Sequence, residues 1–202
     1  SKRADHLPTW EEKVRMMRTC LRGDARVHAN PLRVLQTGFE VLCTHTTGVR
    51  GQLVRSAKFE HVWPRDYHEL ADGKGISSTV MYNVRGDKTH ATGDGSHTGW
   101  IPARNVLLCP DVFLGTCLLY RFTQGERFPD VLAEDGMYYK WLPLVISTES
   151  TYAIDRKKAL LALRGVDART QNACFNQLYA GAGVEMYAGD AVTHAGRAAA
   201  QQ

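Results

Sequence analysis

Three clusters of polar side chains in this 202-residue chain have types and an order that could do chemistry. The first is the alternation Arg22-Gly-Asp24-Ala-Arg26, with His28 just beyond it. Arginine suits phosphate because its planar fork stays charged and offers two parallel donors. The second is Ser77-Ser78-Thr79, a run of hydroxyls inside a segment rich in β-branched residues. The third is Gln124-Gly125-Glu126, whose carboxylate could stabilise developing positive charge. Ser147-Thr148-Glu149-Ser150 and Glu185 form a second serine and acid set farther along. A surface arginine, a hydroxyl-rich strand edge and an exposed turn glutamate are the plain structural readings of the same residues.

The elements that must position these groups follow from periodicity and caps. Alternating Arg22, Asp24 and Arg26 predict a short strand. A short helix follows, with Pro31 in its first turn, Leu32 and Leu35 on one face, and Gly38 as its stop. Phe39, Val41 and Cys43 alternate and extend a strand reading to about Cys43, and Thr44 to Gly48 reads as a turn. Upstream, Thr9 is an N-cap followed by Glu11 and Glu12, so a helix is expected to Thr19 with Trp10, Val14 and Met17 as its packed stripe.

Gln52 to Phe59 fits a short helix or a strand, and Gly75 to Val84 fits a strand. Arg85 to Gly99 reads as a long surface loop. The near-continuous apolar runs Val106 to Cys109, Val112 to Leu114 and Cys117 to Phe122 predict central strands, bent at Pro110 or Gly115. Two more strands are expected at Gly136 to Trp141 and Leu144 to Ser147, then helices at Tyr152 to Leu163 and Thr170 to Tyr179. The sum is an α+β domain over residues 1–150, with a helical extension over 151–202 packed on it.

Apolar content of 44% permits a sizeable core. No apolar run approaches the roughly 20 residues of a membrane span, and no secretory signal is visible at the N-terminus. A net charge of +4 permits a nucleic-acid partner without indicating one. The five cysteines lack CxxC spacing, and Cys109 and Cys117 sit among leucines as small core residues. That pattern favours the cytoplasm or another reducing compartment; delivery into a host cell is the alternative.

The three clusters together resemble the mono-ADP-ribosyltransferase family of cholera and pertussis toxins. Its first strand has the form Arg-x-Asp-x-Arg, and its next helix ends in Gly-Phe or Gly-Leu, as Arg22 to Arg26 and Gly38-Phe39 do. The resemblance implies a split two-sheet β core with flanking helices, NAD as substrate, and transfer of ADP-ribose to a protein side chain. It implies Arg22 holding the cofactor beside Asp24 and His28, and Ser77, Ser78 and Thr79 shaping the cleft. Gln124 and Glu126 would be the Gln-x-Glu pair, with Glu126 stabilising the charged ribose. Glu126, Arg22 and Ser77 would be catalytic, or Glu149 or Glu185 the acid if Ser147 were the serine.

Gly73-Lys-Gly75-Ile76-Ser77 and Leu107 to Gly115 are similar to segments of poly(ADP-ribose) polymerase domains. There Ser77 takes the place of a stacking tyrosine, and His28 or His45 that of the family histidine. The alternative reading is a catalytically degenerate module on the same fold, serving as a binding or assembly subunit. Three other chemistries are weaker. His61, His68, His90 and His97 lack compact zinc spacing. Asp130, Glu134 and Lys140 fit a magnesium nuclease poorly. No cysteine has a local context that would activate it for hydrolysis.

Overall fold

The helix expected from Thr9 forms as α1, Trp10–Leu21. Thr9 Oγ1 accepts the Glu12 N–H at 3.2 Å, and Glu12 Oε2 accepts the Thr9 N–H at 2.7 Å, which closes a reciprocal cap. The structure, a computed structural model, describes residues 8–49, 51–67, 77–84, 96–100, 102–123, 143–147 and 165–184. The expected elements at Gly136 to Trp141 and Tyr152 to Leu163, the expected loop from Arg85 to Gly95, and residues 185–202 lie outside them, while Ser96 to Gly99, expected as the end of that loop, are strand.

The strand expected at Arg22 to Arg26 is instead a helix end and a turn. Gly23 takes φ 62°, so the chain leaves α1 through a left-handed residue. The Gly23 N–H bonds to Cys20 O at 3.0 Å and the Asp24 N–H to Thr19 O at 3.4 Å, the paired bonds that close a helix C-terminus. Asp24 Oδ1 then accepts the Arg26 N–H at 2.9 Å, a side-chain turn rather than a ladder.

The second helix, α2, runs over Pro31–Thr47, with Asn30 as N-cap and Pro31 in its first turn as expected. It does not stop at Gly38. It passes through Phe39 to Cys43, where a strand was expected, and through the expected turn at Thr44, and ends at left-handed Gly48. Every residue from Leu32 to His45 is buried. Threonines that would favour a turn donate their hydroxyls back along the helix: Thr44 to Val41 O at 2.9 Å, Thr46 to Leu42 O at 2.8 Å, Thr47 to Cys43 O at 2.6 Å. The other elements pack around α2.

A short helix α3 covers Gly51–Ser56. Strands β1 (Val62–Tyr67), β2 (Ser77–Val84) and β3 (Ser96–Trp100) form one antiparallel sheet in sequence order. The β2 strand is the one expected from its β-branched residues. Pro64 sits on the edge strand β1, where its missing N–H is tolerated. Trp100, at the end of β3, is 3% exposed and meets Phe39 of α2 edge-on at 6.2 Å, which ties the sheet to the helices.

The apolar runs expected as central strands are also helical. Val106–Leu108 is a 3-10 turn capped by Asn105, and α4 covers Pro110–Thr123. Pro110 opens that helix, a position where its ring and absent N–H cost nothing. Residues 143–147 make isolated bridges, not the strand expected there. Their core side chains Leu144, Val145 and Ile146 are buried. The last described helix is α5, Ala168–Gly181, close to its expected bounds, and it packs on α1, α2 and α3.

The architecture is thus helices gathered on α2 with one three-stranded meander at the side. Among the described residues there is no second sheet. The split two-sheet β core is corrected by this finding, and with it the resemblance that implied it.

Candidate functional site

On α1 the packed side is Met16, Met17 and Cys20, each fully buried. Opposite them, Glu11, Arg15, Arg18 and Arg22 are all exposed. At 3.6 residues per turn these four positions fall within about 60° of one another, and Arg15 to Arg22 spans about 10 Å of axis. Glu11 opens the row at the helix N-terminus, where the dipole favours an acid, and the arginines follow toward the C-terminus, where it favours cations.

The row differs along its length. Arg15 lies 3.8 Å from Glu12 Oε1 and donates through Nε to Ala182 O at 3.3 Å, which links α1 to the end of α5. Arg26 is neutralised: its guanidinium straddles Asp24, with Nε to Oδ1 at 3.0 Å and Nη2 to Oδ2 at 2.6 Å. That hydrogen bonding pulls the Asp24 carboxyl down to about 2. Arg18 and Arg22 are exposed and make no side-chain hydrogen bond or ion pair among the described residues, although the Arg22 charge adds a small pull on the Asp24 carboxyl. Spacing at i, i+3 and i+7 is the signal that marks this face in the sequence. It is masked there because Arg22, Asp24 and Arg26 alternate and invite a strand.

A second polar constellation is wholly interior. Arg33 and Glu40 of α2 are both 0% exposed and form an ion pair. Gln171 of α5 donates to Glu40 Oε1 at 3.1 Å and to Gly51 O at 3.2 Å, and accepts from Arg55 Nη1 at 2.8 Å. Burial raises the Glu40 carboxyl, while the Arg33 charge and the hydrogen bonds from Arg33 and Gln171 oppose the rise. In the orientation that satisfies both partners, the Gln36 amide donates to Ile146 O at 3.0 Å and accepts from its N–H at 3.1 Å. With no exposed surface at Arg33 or Glu40, this network positions α2, α3 and α5 and is closed to a substrate.

Farther along α2, His45 Nε2 lies 3.0 Å from Tyr179 Oη, and both groups are buried. Burial, with a smaller contribution from Lys13, pushes the His45 imidazole down to about 3. The native state therefore keeps His45 neutral while the unfolded chain protonates near 6.5. Stability from this group is complete above about pH 6.5 and is lost as pH falls toward 3, at about 1.4 kcal/mol per pH unit. Urea unfolding at pH 5 is expected to show a loss of about 2 kcal/mol relative to pH 7 from this source. His45→Gln is expected to flatten that difference; an unchanged pH slope in the variant would remove His45 as its cause.

Other expected site residues are scattered. Asp24 is occupied by Arg26, and His28 Nδ1 accepts the Asn30 N–H at 3.0 Å in the approach to α2. Ser77, Ser78 and Thr79 lie in β2, in register with Tyr67, Asp66 and Arg65 of β1. Gln124, Glu126, Glu149 and Glu185 fall outside the described residues, as do His68 and His90, and Asp130, Glu134 and Lys140 of the nuclease reading. Among the described residues no group of three or more His, Cys, Asp or Glu side chains could hold a metal ion. All five cysteines are free and buried, and burial raises Cys43 and Cys117 to about 12, far from a nucleophilic thiolate. No helix among the described residues is long and apolar enough to cross a membrane.

No family model, no curated protein and no solved structure matches the chain. ADP-ribosyl transfer, NAD as its substrate, and a degenerate module on that fold were implied only by the resemblance. They are corrected with it: neither the helix-centred fold nor any relative supports a transferase of that class.

Proposed function

We propose that this protein is a nucleic-acid-binding module that grips phosphates with the solvent face of α1. The observation that supports it is one: Arg15, Arg18 and Arg22 share that face, and Arg18 and Arg22 are exposed and make no side-chain hydrogen bond or ion pair among the described residues. Arginine, unlike lysine, matches the geometry of a phosphate with two donors. The spacing from Arg18 to Arg22 is about 6 Å along the axis, which lets the two guanidiniums reach neighbouring phosphates of one strand. The net charge of +4 adds a favourable long-range field. The unpaired cysteines support a reducing compartment as its place of work.

The test is fluorescence anisotropy with labelled oligonucleotides across a salt series. Each phosphate contact contributes about 0.7 to 0.9 to the slope of log affinity against log salt. Arg18→Gln with Arg22→Gln is expected to weaken binding at least tenfold and to lower the slope by about 1.5. Both side chains are exposed, so the thermal midpoint is expected to stay unchanged. Wild-type protein that does not bind, or a variant with the same affinity and slope, overturns the reading.

A further inference from the structure

Beside the arginine row runs an apolar edge. Trp10, the first residue of α1, is 57% exposed and Leu21 is 41% exposed. Both lie about 90° round the helix from the centre of the row, on the same side as the partly buried Val14. Tryptophan is rarely left this open in a folded domain. The capping box at Thr9 fixes the backbone from which Trp10 projects, so the ring is presented by an ordered helix start. Leu21 alone would be an ordinary surface residue.

Resting on the reading above, we infer that the nucleic acid this face takes is single-stranded, with a base stacked on Trp10 and the backbone running over Arg18 and Arg22. In a duplex the bases already stack on one another, so an indole at the edge of a helix has nothing to add. In a single strand every base has a free π-face, and stacking on an aromatic side chain adds to phosphate contacts with little regard to sequence. Trp10 to Arg18 is about 12 Å along the axis, a span that about two nucleotides of extended backbone cover. An aromatic platform beside an arginine row is the pairing that single-strand recognition needs, and both parts are on one rigid element.

The experiment compares a labelled oligothymidylate of twelve nucleotides with a duplex of the same length, using the full chain. Wild type is expected to prefer the strand. Trp10→Ala is expected to lose about tenfold on the strand and nothing on the duplex, while Trp10→Phe, which keeps an aromatic ring, retains most of the affinity. Equal or tighter duplex binding, or a Trp10→Ala variant that holds the strand as wild type does, overturns the inference and leaves phosphate binding by the arginines standing. Wild type that binds neither probe overturns both. Light scattering on the same samples separates one more outcome. Self-association that Trp10→Ala abolishes, with strand affinity unchanged, assigns the edge to a second copy of the chain and overturns the stacking role.

Discussion

Glu40→Ala is expected to destabilise the folded chain by about 3–5 kcal/mol, read as a fall in the urea midpoint. The side chain removed is fully buried and holds two donors at once, Arg33 from its own helix and Gln171 from α5. Arg33 cannot shed its charge by deprotonation, and its Nε is already without a hydrogen-bond partner. Loss of Glu40 therefore leaves a buried cation with no counter-charge. It also leaves the Gln171 amide nitrogen with only its bond to Gly51 O. Arg55, which reaches Gln171 at 2.8 Å, is loosened with it.

The cost belongs to the orphaned charge and not to the pair as such. Replacing both members, Arg33→Met with Glu40→Leu, is expected to restore much of the loss, because the desolvation of two charges is then avoided. Glu40→Gln, which keeps the shape and the amide contact to Gln171, is expected to fall between. A Glu40→Ala variant within about 1 kcal/mol of wild type would mean that the pair is not closed off from water as its burial indicates.

The same network explains why α2 was not legible as a helix beyond Gly38. Its interior is not a stripe. Arg33, Gln36, Thr37, Glu40, Thr44 and His45 are buried alongside Val34, Phe39 and Val41, so the sequence shows no polar face against which a 3.6-residue period could be read. What remained visible was the alternation of Phe39, Val41 and Cys43, which is real and means nothing for a helix packed on all sides. The same ambiguity turned the apolar runs of α4 into strands. Local chemistry was legible wherever the answer is settled within a few residues. The Thr9 cap, Pro31 in a first turn, the β-branched run of β2 and the helix at Thr170 to Tyr179 all formed where expected. Family-like motifs failed for a related reason: Arg22-Gly-Asp24 has the letters of a strand motif, but its glycine is spent on ending α1.

Gly38 shows the difference most directly, and its replacement carries the second large effect. Read as a helix stop, Gly38 would tolerate little besides glycine for reasons of backbone conformation. In the folded chain it is an ordinary right-handed residue in the middle of α2, and alanine there would gain about 1 kcal/mol of helix propensity. What forbids it is space. A Cβ at position 38 would lie 2.6 Å from Phe113 Cε1, 2.7 Å from Phe113 Cδ1 and 3.1 Å from Cys20 Cβ. Phe113 and Cys20 are both fully buried, so α1 and α4 close on α2 at this point and the ring has nowhere to retreat.

Overpacking of this kind costs about 1–3 kcal/mol, and here it strikes a ring held by two helices. Gly38→Ala is therefore expected to destabilise by about 2 kcal/mol despite its better propensity, and Gly38→Val by more. Phe113→Leu alone should also destabilise, by opening a cavity. Combined, Gly38→Ala and Phe113→Leu are expected to cost less than the sum of the two, by at least about 1 kcal/mol, since the added methyl fills part of the space the ring vacates. Strict additivity, or a Gly38→Ala variant as stable as wild type, would show that α2 and α4 do not meet at this glycine.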